Sequence, residues 1–337
     1  MAERTTMKEV AKKAGVTIGT VSHVINGTAS ISEETKQRVW KVIEETNYTP
    51  NPMASYMRSK KSKIIGLMLP DLNNHFFAKT ASQFASLAYQ NGYTVLILEN
   101  SYSPEKEQQN MQILIRNNAD AVIIMCGLQK EELLDEFLKK KKIVIFADQN
   151  STREDIPCIQ FDNNKIMMEI ISLLKQRGYD TIGYLCETLE LTNIRKRFEA
   201  YERALLANGY VYRPEHVFLS KSLRMDHIQN GYLYMKEILS THKKEELPKA
   251  WITSSDLSAL GAIRAMNEAG YRVPEDYAFI GWDNLEISEF ISPKLTTVLQ
   301  NQTRLGHEMW EMFVKCVEEA PVQNRVLEQE LIIRESC

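Results

Sequence analysis

The chain is short of the patterns that most enzymes and secreted proteins depend on. Its five cysteines, Cys126, Cys158, Cys186, Cys316 and Cys337, are scattered, with no CxxC pair and no histidine beside them. That excludes a disulfide framework and a zinc site of ordinary spacing. Cys126, Cys158 and Cys186 stand in strand-like runs and read as small buried hydrophobes, so a reducing cytoplasm is the expected compartment. The six histidines (23, 75, 216, 227, 242 and 307) show no metal-ligand spacing, and GxSxG, GxxxxGK, GxGxxG and HExxH are all missing. Hydrolase, nucleotide-binding and zinc-protease chemistry thus lack their residues, and neither an enzyme nor a bound cofactor is expected. No run approaches the ~20 apolar residues of a membrane span. The opening MAERTTMKEV has no apolar stretch, so no secretory signal is expected.

What remains is ordinary in bulk and uneven in distribution. The 337 residues are 44% hydrophobic and 25% charged, which suits two or three soluble domains. The net charge of −3 conceals a basic start: residues 1–63 hold 11 Lys/Arg against 6 Asp/Glu, a net of +5, leaving −8 for the rest. A small basic head on an acidic body fits a nucleic-acid contact confined to the head.

The head has its own punctuation. Thr6 and Glu9 have the spacing of a capping box, Val10, Ala11 and Ala14 share one helical face, and Gly15 can close the helix left-handed. Thr17 can cap a second short helix, with Val21, Val24 and Ile25 inward and Ile18, Gly19, Ser22 and His23 outward. Two short helices joined at a tight glycine turn make a helix-turn-helix, whose second helix fits the major groove. A third helix after Ser32 should close the core with Val39, Trp40 and Ile43. Asn47 to Pro52 is a turn-rich break, and four basic residues fall between Arg58 and Lys63.

From Ile64 the pattern alternates. IIGLML, TVLILE (94–99), AVIIM (121–125) and KIVIFA (142–147) read as buried parallel strands, with helices near 76–91, 105–118 and 130–140. A second series follows Asp162: TIGYL (181–185), HVFL (216–219), AWIT (250–253) and AFIG (278–281). Two such arrays suggest two doubly wound α/β lobes, with a ligand at the carboxyl ends of their strands.

The patterns AxxAGVTxGTVSxVING and NYxPNxxA, followed by a basic linker into an apolar strand, closely resemble the lactose-repressor (LacI/GalR) family of bacterial transcription regulators. The resemblance runs the length of the chain. It implies a three-helix helix-turn-helix head over 1–50, a hinge helix and linker over 51–63, and a two-lobed periplasmic-binding-protein-like core over 64–337. It also implies the lobe boundaries: lobe 1 about 64–161 and 293–322, lobe 2 about 162–292 and 323–337. TTVLQ (296–300) and a helix over 302–319 would rejoin the first lobe, and LEQELIIRES (327–336) would return to the second.

On DNA, the resemblance places Thr6, Thr17, Ser22, Asn26 and Ser32 against phosphates, and Ile18, Gly19 and His23 against bases. Thr20, Tyr48, Asn51 and Ala54 also stand at contact positions, and Met57 occupies the minor-groove wedge where relatives usually carry leucine. Relatives usually have arginine where this chain has His23. For the effector it implies Asn74, Phe76, Asp162, Arg197 in IRKRFEAY, Ser255, Trp282 and Asp283. His75 replaces a common proline, Ala200 a common glycine and Ser255 a common asparagine. The implied function is a cytoplasmic homodimeric repressor of a carbohydrate-use operon, bound to palindromic double-stranded DNA and controlled by a sugar or sugar derivative. A regulator whose effector is a phosphorylated carrier protein is the alternative. A solute-binding protein is a further one, which would lack the basic head.

Overall fold

The computed structural model describes residues 5–27, 29–48, 61–125, 127, 131–151 and 153–337. Asn51, Ala54, Met57 and Cys126 lie outside them, as does most of the expected hinge. The chain forms two compact units, Met1–Ser62 and Lys63–Cys337.

In the first unit, α1 (Met7–Ala14), α2 (Ile18–Asn26) and α3 (Glu33–Thr46) each start on a hydroxyl cap. The Thr6 hydroxyl accepts from the Glu9 amide at 3.3 Å, while the Glu9 carboxylate accepts from the Thr6 amide at 2.7 Å. Each bond satisfies an amide donor that the helix cannot. Gly15 and Gly27 end α1 and α2 at φ 63° and 64°, a region costly for residues with a Cβ. Val10, Ala11, Ala14, Val21, Val24, Val39, Val42, Ile43 and Tyr48 form the small core. Val42, not Trp40, completes it: Val39, Val42 and Ile43 share one face, and Trp40 is 45% exposed.

The second unit contains two six-stranded sheets. The first has order β11-β5-β4-β3-β1-β2, from β1 (Ile64–Leu69), β2 (Thr94–Glu99), β3 (Ala121–Met125), β4 (Ile143–Ala147), β5 (Cys158–Phe161) and β11 (Arg325–Leu327). All its pairings are parallel. The second has order β12-β10-β9-β8-β6-β7, from β6 (Ile182–Cys186), β7 (Val217–Leu219), β8 (Ala250–Thr253), β9 (Ala278–Trp282), β10 (Thr296–Leu299) and β12 (Glu330–Ile332). Here only β12 runs antiparallel, against β10. β2 pairs on one side alone, so it is a half-exposed edge, not the buried strand its apolar run suggests.

The crossings differ from the implied boundaries. β10 stays in the second sheet, with Thr296 opposite Ile280 of β9. Thr297 Oγ1 donates to Asp256, and Val298 accepts from the Asp283 amide at 2.9 Å, both second-lobe partners. Gln302–Val317, by contrast, packs Leu305, Met309, Met312 and Phe313 into the first lobe's core with Phe77 and Phe84. β11 then joins β5 in the first sheet, and β12 returns to the second. The first lobe is therefore about 64–161 with 302–327, and the second about 162–299 with 330–337.

Helices on both faces complete the lobes: α4 (His75–Gln90), α5 (Pro104–Arg116) and α6 (Glu131–Lys139) in the first, with α12 being Gln302–Val317. In the second they are α7 (Asn163–Gln176), α8 (Thr192–Ala207), α9 (His227–Thr241), α10 (Asp256–Glu268) and the short α11 (Ile287–Phe290). Gly281 in β9 leaves the room that the Asp256 carboxylate fills; a Cβ there would meet Asp256 Oδ1. No helix among the described residues is long and apolar enough to cross a membrane.

Candidate functional site

In each lobe the parallel strands end toward a narrow cavity of about 40 Å³ between the lobes. Beyond β1, Asn74 accepts from the Phe76 amide at 3.0 Å and so starts α4. This cap turns Phe76 inward, where it is 2% exposed and packs edge-on against Phe77 and Phe161. Across the cavity, α8 begins at Leu191 with no side-chain cap. Its first turns direct Asn193, Ile194 and Arg197 at the cavity; one face is used because positions three and four apart align.

Arg197 is the best-anchored cation there. Its guanidinium carbon lies 4.1 Å from the centroid of the Trp282 ring, Nη1 donates to the Ser254 carbonyl at 3.0 Å, and Nη2 donates to Gln300 Oε1 at 3.4 Å. Trp282 Nε1 donates to the same Gln300 oxygen at 2.8 Å. Trp282 is wholly buried and gives its face to Arg197, so it supports the site from beneath and is not a stacking surface for a ligand. Asp283 follows at φ 100°, strained backbone for a residue other than glycine. Its carbonyl accepts from Gln302 Nε2 at 2.8 Å, which ties this turn to the first lobe. Burial pushes the Asp283 carboxyl well above the usual range; Arg197 opposes this, and Asp256, Asp148 and Glu187 reinforce it.

The cavity brings together Asn74, Phe76, Arg197, Ser255 and Asp283 of the expected set. Ser255 is also the cap of α10, accepting from the Ser258 amide at 3.1 Å. Asp162 is not in the lining: it caps α7 by accepting from the Lys165 amide at 3.2 Å. Four further residues carry chemistry. Asp148 follows β4 and Glu187 follows β6 directly, both lining the cavity. His227 stands at the start of α9, its Nε2 3.9 Å from Asp71 Oδ2, and Gln300 follows β10. Asp148 and Glu187 were readable as carboxylates placed immediately after buried strands, where open α/β sheets bind ligands. Nothing in the local sequence marks His227. Polar contacts also cross between the lobes: Asn193 Nδ2 donates to Asp148 at 3.3 Å, and Arg224 lies 5.7 Å from the Tyr102 ring centroid.

In the head, Ile18, Gly19 and His23 form an exposed strip on α2, with Ile18 48% exposed. Thr20 is half-buried, its amide held by Thr17 Oγ1 at 3.0 Å. Thr6, Thr17 and Ser32 are exposed caps of their helices. Ser22, expected outward, is buried at 7%, and Tyr48 belongs to the head core at 8%. Asn26 is the last residue of α2.

Residues 6–51 match the model of bacterial regulatory proteins of the lacI family, and 171–337 match a periplasmic binding protein-like domain. The chain is 31% identical over 339 residues to the HTH-type transcriptional repressor PurR of Haemophilus influenzae (strain PittEE), covering 98% of both chains. PurR of Pasteurella multocida (strain Pm70) is likewise 31% identical, over 337 residues and 98% of both. Among solved structures, a lac repressor dimer bound to operator and the anti-inducer ONPF superposes with a TM-score of 0.84 at 25% identity, covering 99% of both chains. A complex of the regulator CelR with cellobiose superposes at 0.72, with 25% identity, 99% of this chain and 100% of that one. This chain belongs to the lacI family of bacterial regulatory proteins: it is a DNA-binding transcriptional repressor with a small-molecule effector domain, not an enzyme.

Proposed function

We propose that the chain is a cytoplasmic homodimer that binds a palindromic operator and represses a carbohydrate-use operon, with a sugar in the inter-lobe cavity as its effector. The observation that carries the effector class is the wall around the cavity. Asp148, Glu187 and Asp283 offer carboxylate acceptors, while Arg197 and Gln300 are fixed by Trp282. Carboxylates and amides at the ends of strands suit a dense set of hydroxyls, since charge-assisted hydrogen bonds are the stronger ones. The cellobiose in the CelR complex belongs to that chemical class.

In the head, α2 would lie in the major groove with Ile18, Gly19 and His23 toward bases and the capped helix ends near phosphates. Effector and operator are then coupled through two arrangements of the lobes that bind the effector unequally. The test is to titrate the full chain with mono- and disaccharides, following its melting temperature and its affinity for operator selected from a random DNA library. A binding sugar is expected to change operator affinity by about 5- to 150-fold. A nucleobase that shifts both readouts when no sugar does would overturn the carbohydrate reading. Selected operators with a single asymmetric half-site at full affinity would overturn the symmetric dimer.

A further inference from the structure

His227 and Asp71 face each other across the gap between the lobes. Asp71 follows β1 of the first lobe, and His227 opens α9 of the second. Both are more than nine-tenths buried, at 7% and 1% exposure. Asp71 Oδ1 accepts from the Asn73 amide at 2.8 Å, which fixes the carboxylate, and Oδ2 stands 3.9 Å from His227 Nε2. That separation is too long for a direct hydrogen bond. His227 lines the cavity, yet among the described residues neither of its ring nitrogens has a hydrogen-bond partner. A buried donor without an acceptor is costly, so the arrangement suits a bond that a ligand completes.

A second buried donor lines the same cavity. Gln300 is 1% exposed, and its Nε2 has no partner among the described residues. The amide cannot turn over to change this, because its oxygen accepts from both Trp282 Nε1 and Arg197 Nη2. Gln300 Nε2 is thus a donor held in place by two neighbours, and it selects a ligand oxygen. At the other pair the imidazole N–H donates and the carboxylate accepts. One group satisfies both: a hydroxyl, which accepts from His227 and donates to Asp71. An oxygen bonded to each at about 2.8 Å with a tetrahedral angle spaces them about 4.6 Å apart, a little wider than they stand. The hydroxyl therefore enters as a wedge between the lobes.

We propose that His227 and Asp71 share one hydroxyl of the effector, which accepts from the imidazole of the second lobe and donates to the carboxylate of the first, while another effector oxygen accepts from Gln300 Nε2. This inference rests on the sugar reading above and names the residues that choose among sugars. A fluorine at the shared position can accept but cannot donate, and a bare C–H can do neither. Because the shared hydroxyl bonds both lobes, it favours one arrangement of them over another. That is the condition for an effector to shift the balance between two states.

The test is isothermal titration of the full chain with D-glucose, D-galactose, D-mannose, D-ribose and cellobiose, then with every monodeoxy and deoxyfluoro form of the tightest binder. At one carbon, both replacements of the hydroxyl are expected to weaken binding at least tenfold. His227→Phe keeps a ring there, and Asp71→Asn keeps the acceptor for the Asn73 amide. Each should narrow that penalty at least fivefold. A penalty unchanged in either variant places the hydroxyl elsewhere and overturns the bridge. A wild-type series with no such position also overturns it, and that series stands whether or not a variant folds. Both results leave the sugar reading intact. Gln300→Glu keeps the acceptor for Trp282 and Arg197 and loses the donor. It should weaken the parent sugar at least tenfold, and undiminished binding overturns the Gln300 contact. If none of the five sugars binds, the sugar reading falls, and this inference with it.

Discussion

The Arg197 guanidinium lies 4.1 Å over the Trp282 ring, and Gln300 Oε1 accepts from both residues. The three form one unit, so the arginine reaches the cavity in a fixed orientation. Trp282→Phe keeps a ring under the guanidinium but leaves Gln300 with one donor fewer. It is expected to cost about 1–3 kcal/mol of stability through that lost hydrogen bond and to weaken effector binding. Arg197→Lys should weaken it further, because an ammonium cannot reach Ser254 and Gln300 together as the planar fork does. Urea unfolding and effector titration measure the two effects separately. Normal titration in both variants would mean that this unit is core and not site.

Asp256 gives the core a pH dependence of defined sign. It lies beneath β9 and accepts from the Leu285 amide at 2.7 Å, from Ser288 Oγ at 2.7 Å and from Thr297 Oγ1. Burial nevertheless dominates these three bonds and raises the Asp256 carboxyl from 3.8 to about 6. Between those values the folded chain holds a proton that the unfolded chain has released. The associated stability is complete below about 3.8 and is lost as the pH rises through about 6. At 1.36 kcal/mol per unit, the change amounts to about 3 kcal/mol. Asp256→Asn removes this linkage and leaves donors without a full set of acceptors. The stability difference between wild type and variant should shrink between pH 4.5 and 7.5, as urea unfolding across that range would show. A pH-independent difference would mean that Asp256 stays ionised throughout.

Thr17 offers a test confined to the head. Its hydroxyl accepts from the Thr20 amide at 3.0 Å and fixes where α2 begins. Thr17→Ala should cost about 0.5–2 kcal/mol, seen as faster hydrogen exchange at the α2 amides and weaker operator binding. Effector titration should be unmoved. Unchanged exchange in α2 would show that the cap is dispensable.

Local chemistry made most of this fold legible, and long-range pairing accounts for what was missed. The three caps at Thr6, Thr17 and Ser32 and the left-handed Gly15 act within four residues of themselves, so the sequence displays them directly. The apolar runs at 64–69 and 121–125 are strands buried on both faces. Short edge segments are different. Cys158–Phe161 and Arg325–Leu327 are four and three residues long and find each other across more than 160 positions. Periodicity cannot say which of two sheets Thr296–Leu299 joins; its partners, Ala278–Trp282 and Glu330–Ile332, are distant in sequence. The site divides the same way. Arg197 and Asp283 sit in recognisable motifs, whereas no local pattern shows that the Trp282 ring is covered by Arg197, which comes from a distant helix. Ser22 turned out buried because the apolar face of α2, through Val21 and Val24, is broad enough to include it.

His23 is the residue through which this head would read a different operator from relatives with arginine there. It stands exposed on α2, one turn beyond Gly19 and near the exposed Ile18. An arginine at such a position can donate two bonds to guanine O6 and N7, a fork that imidazole cannot make. Neutral imidazole has one donor and a shorter reach, which suits a single bond to a purine N7. Ile18 can meet a thymine methyl, and Gly19 adds no side chain between helix and groove. His23→Arg should therefore move preference toward guanine at one symmetric position in each half-site, by about 1–3 kcal/mol per contact. The caps at Thr6, Thr17 and Ser32 remain unaltered in the variant and would keep the helix in the same pose. Selection from a randomised operator library, run on both proteins at one salt concentration, measures the shift. Identical selected sequences would show that His23 touches the backbone or nothing, and that Ile18 and the hinge carry the sequence preference.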